Sequence, residues 1–249
     1  MNCGCELLPG NQVARLPRQL RPRFLSGLSG TELDSILSGA KHRQFRASTV
    51  ITHEGDPAER FFLLTSGQGR HFVTTNEGRK ILLMWLTAGQ IFGGVAMLSA
   101  PIDYLASTEV LADSCALVWD RQTIREFISR NPELLDNALS IAATEHAAWF
   151  IATHVSLSSD DARGRIAHLL VSLACGIGKV TSGGIELKIT NEDLASGANV
   201  TPFTVSRSLS EWQRDGVLPK DHGKILLRKP ELLAPPPESM DLRSALVLK

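Results

Sequence analysis

The chain has 249 residues, enough for one large domain or two smaller ones. Hydrophobic residues make up 43% and charged residues 21%, a balance that excludes disordered, collagen-like and disulfide-framework classes. Lys plus Arg (26) cancels Asp plus Glu (26), so a nucleic-acid or membrane partner has to be argued from a local patch.

Residues 1–24 carry Pro9, Pro17 and Pro22 among Arg15, Arg18, Arg21 and Arg23. They lack the apolar block of a secretory signal and read as a flexible arm. The cysteines Cys3, Cys5, Cys115 and Cys175 are too scattered for a secreted disulfide framework and point to a reducing cytoplasm. Ile81–Ile102 runs 22 residues without a charge, long enough to span a bilayer. Thr87, Gly89, Gln90, Gly93, Gly94, Ser99 and Pro101 interrupt it, which predicts short buried strands joined by Gly turns and no membrane helix.

From residue 25 to 130, short apolar blocks alternate with turn signals such as Gly55-Asp56-Pro57, Ser66-Gly67, Asn76-Glu77-Gly78 and Gly93-Gly94. That spacing predicts an antiparallel roll or barrel. Asn131-Pro132 opens a second segment, 131–158, in which Glu133 to Ser158 holds no Gly or Pro and predicts one long helix. Leu135, Leu139, Ala142, His146, Trp149 and Thr153 recur at alternating steps of four and three, the spacing of a coiled-coil seam with small and polar members. The same stripe equally suits a helix packed on its own domain.

In residues 159–233, Ala162 to Ala174 reads as a helix with Ile166, Leu169, Leu170 and Leu173 on one face, closed by Gly176 and Gly178. Gly184 to Ile189 alternates as a short strand. Thr190 is an N-cap with Asp193 three residues on, and Gly197-Ala198-Asn199 stops the short helix that follows. Thr201 is a second N-cap with Pro202 at the first helical position, where a missing N–H costs nothing. The second helix runs through Val205, Leu209 and Trp212 to Arg214. Two helices joined by a tight turn form a helix-turn-helix.

A helix fits the major groove and presents its N-terminal residues to base edges. With Val205 and Leu209 holding the scaffold, Thr201, Phe203, Thr204, Ser206 and Arg207 are left for the groove. Arg207 can make paired hydrogen bonds to guanine O6 and N7. A hairpin through Asp221-His222-Gly223 follows, and its Lys220, Lys224 and Arg228 suit a wing against phosphates. Between Thr201 and Pro230, six Lys or Arg (Arg207, Arg214, Lys220, Lys224, Arg228, Lys229) face three acids (Glu211, Asp215, Asp221). This is the local basic patch that the neutral total conceals.

The order of these parts resembles the Crp/Fnr superfamily of bacterial transcription regulators over about Leu25 to Leu233. The resemblance rests on Glu54-Gly55-Asp56-Pro57, Phe61 to Gly67, Gly89-Gln90-Ile91-Phe92-Gly93, Gly164-Arg165-Ile166-Ala167 and Thr204-Val205-Ser206-Arg207. It implies an α+β chain: an N-terminal antiparallel β-roll of the cyclic-nucleotide-binding type (25–130), a long dimerisation helix (131–158) and a C-terminal winged helix-turn-helix (159–233). Residues 234–249, opening on Ala234-Pro235-Pro236-Pro237, read as a disordered tail.

In cyclic-AMP-binding members a Glu after the Phe-Gly binds the ribose, and a later Arg-Ser pair holds the cyclic phosphate. The matching positions here are Gly94 and Tyr104-Leu105. A buried phosphate without a guanidinium loses its charge-assisted contacts, so no cyclic-nucleotide binding is expected. Phe92, Gly93, Gly94, Tyr104, Leu105, Trp149 and Phe150 mark the corresponding sensor pocket, with Trp149 and Phe150 near the family's adenine-contacting positions and expected to fill it.

An iron-sulfur cluster takes four thiolates, whereas Cys3-Gly4-Cys5 plus Cys115 gives three. Among the seven histidines, haem ligation would be tested first at His146, which otherwise serves as a structural, hydrogen-bonded residue. No cofactor and no metal site are expected. Many members have Glu where Phe203 stands, and Phe can instead pack on a thymine methyl.

The resulting expectation is a cytoplasmic, homodimeric, sequence-specific regulator that reads an inverted repeat in double-stranded DNA and meets RNA polymerase, with no membrane partner. The alternative is a non-DNA regulatory module binding a ligand or partner. No Gly-x-Ser-x-Gly elbow, phosphate-binding Gly-x-x-x-x-Gly-Lys loop or His-Glu-x-x-His motif suggests an enzyme.

Overall fold

A computed structural model describes residues 16–17, 19–221 and 224–233. The tail expectation, most of the arm, Cys3, Cys5 and the His222-Gly223 turn lie outside these. The chain divides into two compact units: residues 1–73 with 86–147, and residues 74–85 with 148–249.

The described strands that precede Glu133 form two four-stranded antiparallel sheets. One has the order β1 (Lys41–Phe45), β8 (Ser114–Asp120), β3 (Arg60–Ser66), β6 (Ile91–Phe92). The other has the order β2 (Val50–Thr52), β7 (Ser107–Val110), β4 (Gln68–Thr74), β5 (Lys80–Thr87). The uncharged run Ile81–Ile102 thus becomes β5, β6 and a 3-10 turn (Gly94–Met97), and no described helix is long and apolar enough to cross a membrane.

Strands β3 and β8 are buried along nearly their whole length instead of alternating. One reason is that the helices α1 (Gly30–Ser38) and α2 (Arg121–Arg130) cover the outer face of their sheet. The Trp119 indole N–H donates to the Ile36 carbonyl of α1 at 2.8 Å. Phe61 packs between Phe24 and Trp119, with ring centroids at 4.9 and 5.7 Å.

The predicted long helix is observed from Glu133 to Ser159, but with an irregularity that the sequence pattern did not reveal. Between α3 (Glu133–Ile141) and α4 (Ala147–Ser159), Ala142–His146 forms a π turn, in which i→i+5 bonds widen the helix locally.

In the second unit α5 (Ala162–Gly176) begins with Asp161 accepting from the Gly164 N–H at 2.7 Å. A sheet follows with the order β11 (Lys220–Asp221), β12 (Lys224–Leu227), β10 (Gly184–Lys188), β9 (Lys179–Thr181). Between β10 and β11 lie α6 (Asn191–Ala198) and α7 (Pro202–Arg214). The capping box at Thr190 and Asp193 forms in both directions, and Thr201 accepts from the Thr204 N–H at 3.1 Å.

Helix α6 stops within Gly197-Ala198-Asn199, as expected from sequence, while Gly197 itself lies inside it. A Cβ there would meet Leu169 Cδ2 at 2.7 Å and Leu82 Cδ2 at 3.0 Å, so the glycine permits close packing. The stop is Asn199, left-handed at φ 50°.

Candidate nucleic-acid interface

Helix α7 is sharply two-sided. Val205 and Leu209 are fully enclosed, and Ser208 and Trp212 nearly so, which fixes the helix on α5 and α6. Thr201, Phe203, Ser206 and Arg207 face outward, Phe203 with 76% of its surface exposed. Thr204, grouped with them from sequence, is half-buried, and its hydroxyl lies 2.9 Å from that of Thr201 within the cap.

Arg207 is positioned by a neighbour that sequence reasoning missed. Its Nε donates to Glu211 Oε1 at 3.1 Å, one helical turn on. Arg163 of α5 donates to the other carboxylate oxygen at 2.5 Å and lies over the Trp212 ring at 4.9 Å. The hydrogen bond from Arg207, with the charges of Arg207 and Arg163, holds the Glu211 carboxyl below its ordinary pKa. Glu211 binds the Nε side of the guanidinium, which leaves the two terminal nitrogens for a bidentate acceptor. The i,i+4 spacing of Arg207 and Glu211 was the available signal.

In the wing, Lys224 and Arg228 are exposed, and Lys224 Nζ lies 3.5 Å from Glu186 Oε2 of β10. Lys220 lies on β11. Exposed Lys188, Arg214 and Lys229 add to the positive character of this unit.

The sensor residues fare differently. In the first unit Phe92 stacks on Phe62, with centroids 4.5 Å apart and planes within 3°. Gly93 has φ +70°, and a Cβ there would meet the Arg60 carbonyl oxygen at 2.7 Å and Tyr104 Cε1 at 3.3 Å. The Tyr104 hydroxyl donates to the Arg60 carbonyl at 2.8 Å and accepts from the Arg60 N–H at 3.1 Å. Burial raises its pKa. Gly94 opens the 3-10 turn beside this cluster. Leu105, expected in the pocket, is instead 73% exposed, because the loop that buries Tyr104 turns the next side chain outward.

Trp149 and Phe150 belong to the second unit. There the Trp149 indole N–H donates to the Leu83 carbonyl at 2.7 Å, while Phe150 is 47% exposed.

The helix stripe shows the effect of the π turn. Leu135, Leu139 and Ala142 are exposed, but His146, Trp149 and Thr153 are half-buried. Beyond the π turn the exposed positions include Phe150 and His154, each one residue later than the predicted Trp149 and Thr153, together with Ile151 and Val155. The widened turn takes up one extra residue, so the 3,4 spacing read from sequence loses its phase there.

His71 also escaped the sequence reading. Its Nδ1 lies 3.0 Å from Thr108 Oγ1, which lies 2.8 Å from Thr52 Oγ1, and its ring meets the edge of Phe92 at 6.3 Å. Loss of solvent, reinforced by the charge of His146, pushes its pKa down to about 4. His146 Nε2 is enclosed without a hydrogen-bond partner among the described residues. Neither thiol described resembles a reactive one: Cys115 is buried, and burial pushes Cys175 up to about 11.

Comparison with known proteins agrees with this architecture. Residues 42–131 match the cyclic nucleotide-binding domain and residues 164–235 the Crp-like helix-turn-helix domain. The chain is 28% identical over 208 residues to the cyclic AMP receptor protein of Thermus thermophilus, covering 83% of this chain and 93% of that one. It is 26% identical over 217 residues to the anaerobic regulatory protein of Bacillus subtilis, covering 86% and 91%. Among solved structures, FixK2 from Bradyrhizobium japonicum superposes with a TM-score of 0.68 at 20% identity, over 78% of this chain and 95% of that one. With a roll of the cyclic-nucleotide-binding type followed by a Crp-like DNA-binding domain, the chain belongs to the Crp/Fnr superfamily of transcription regulators.

Proposed function

We propose that this regulator works as a homodimer in the cytoplasm and reads an inverted repeat, with the N-terminal part of α7 in the major groove of each half-site. The half-sites would then be centred about 34 Å apart. The observation that carries the reading is the outward set Thr201, Phe203, Ser206 and Arg207 on a helix whose opposite face is sealed by Val205, Leu209 and Trp212.

Arg207, held at Nε by Glu211, presents its terminal nitrogens to guanine. Phe203 supplies an apolar contact suited to a thymine methyl. Lys224 and Arg228, with Lys220, lie against phosphates. The exposed apolar residues Leu135, Leu139 and Phe150 of the long helix form the surface for the second copy. RNA polymerase is the expected further partner, and no catalysis is assigned.

The roll is proposed to have lost cyclic-nucleotide binding. Where the phosphate-holding pair stands in cyclic-AMP-binding members, Tyr104 spends its hydroxyl on the backbone of Arg60 and Leu105 faces outward. A neutral phenol so engaged cannot replace a guanidinium for a buried anion. Metal and haem are likewise left out of the reading.

Mobility-shift titrations on duplexes selected from a random pool test the proposal. Specific binding that weakens steeply with salt is expected, and cyclic AMP should leave it unchanged. Binding to no duplex would favour a non-DNA regulatory module.

A further inference from the structure

The second unit contains a cavity of about 490 Å³ between α4, α5 and the end of α6, within the ~300–1,000 Å³ range of small-molecule sites. Its walls are mainly apolar, with Trp149, Ala152, Leu169 and Ala198, and Ser172, Arg165 and His168 supply polar groups. Arg165 donates Nε to the Ala198 carbonyl at 2.9 Å, Nη1 to that of Asp160 at 2.9 Å and Nη2 to that of Asn199 at 3.5 Å. Three of the five N–H groups of a guanidinium are thereby used, and two remain. His168 Nδ1 lies 2.5 Å from Asp160 Oδ2, which also accepts from the Ser156 hydroxyl at 2.7 Å. That arrangement turns His168 Nε2 away from Asp160.

We propose that this cavity binds an amphipathic carboxylic acid as an effector. Its apolar chain or ring lies against Trp149, Ala152 and Leu169, and its carboxylate meets Arg165 and His168. An apolar chamber with a guanidinium at its edge matches that chemistry in both shape and charge.

The placement gives the ligand a route to DNA binding. Arg165 grips the carbonyls of Ala198 and Asn199, and Asn199 is the left-handed residue that turns the chain from α6 into α7. A ligand that prefers one arrangement of this corner shifts how Thr201 and Arg207 are presented. This regulatory part rests on the reading of α7 as the DNA-contacting helix; the cavity itself does not.

The test uses the full chain titrated with decanoate and with indole-3-acetate, with decanol as the uncharged control, followed by calorimetry and tryptophan fluorescence. At least one acid should bind saturably and about tenfold more tightly than decanol. Ala152→Trp and Ser172→Leu, which fill the chamber, should each weaken that binding about tenfold or more while leaving operator affinity without acid unchanged. The acid should change operator affinity in the wild type only.

Absence of saturable binding by both acids, equal binding of decanol, or binding indifferent to both filled variants would overturn the proposal. So would cross-linking of an Ala152→Cys variant showing a second copy seated in the chamber. Acid binding by a chain that ignores every duplex would instead overturn the DNA reading and leave the cavity assignment standing.

Discussion

In the roll, Phe92, Gly93 and Tyr104 satisfy one another and the backbone of Arg60, whereas in the winged helix Thr201, Phe203, Ser206 and Arg207 are left facing outward. Both regions match family domains of recognised type, yet only the second leaves such a group of side chains at its surface. A shared fold does not by itself carry a shared site. Phe92, Gly93 and Tyr104 are taken up in packing, whereas Thr201, Phe203, Ser206 and Arg207 stay at the surface.

The contrast can be broken most forcefully at the buried side of α7. Leu209→Ala should destabilise the second unit by about 2–5 kcal/mol through loss of burial and the cavity left behind. Duplex binding and unfolding should change together in a denaturation series. Preserved stability would mean that the helix does not depend on this face.

Acid offers the next largest effect, and it falls on the first unit. Above about pH 6.5 His71 is neutral whether folded or unfolded. As the pH falls, the unfolded chain takes up a proton that the folded one refuses until about 4. Stability should decline through that window by about 3 kcal/mol. Urea midpoints measured from pH 7 to 4 should show the decline and His71→Asn should reduce it; identical acid sensitivity in the variant would contradict the burial argument. The groups around His71 are Thr108, the backbone of Ser107, Phe92 and His146, with Glu145 beside His146.

Tyr104→Phe should cost about 1–3 kcal/mol, because it strands the N–H and carbonyl of Arg60 in a partly buried place. It should not create cyclic-AMP binding, as calorimetry would show. Thr201→Ala removes one cap and should cost about 1 kcal/mol, visible as a small shift in thermal midpoint with a modest loss of duplex affinity.

What could be read from sequence follows the reach of each interaction. The caps at Thr190 and Thr201, Pro202 at the helix start and the apolar stripe Val205, Leu209 and Trp212 depend on residues within a turn or two, and their positions were legible. The sheet sequence Gly184–Lys188 and the turn-spaced strands of the roll were legible for the same reason. The π turn at Ala142–His146 was not, since nothing in its composition distinguishes it from the flanking helix, and it displaced the exposed stripe beyond it. Leu105 was misjudged because matching a motif position does not establish which way a loop side chain points. The packing role of Gly197 was not legible, because the space limit comes from Leu169 and Leu82, remote in sequence. The Arg163–Glu211 pairing joins residues 48 positions apart and has no local signature, although the Arg207–Glu211 half of it does.

The central claim concerns Arg207 as a reader of guanine, and a double-mutant cycle tests it most directly. Binding free energies would be measured for wild type and Arg207→Ala, each on the selected operator and on one with the contacted guanine replaced. The substitution should cost about 1–3 kcal/mol on the intact operator and almost nothing once that guanine is gone. An equal loss on both duplexes, or no loss on either, would contradict the account.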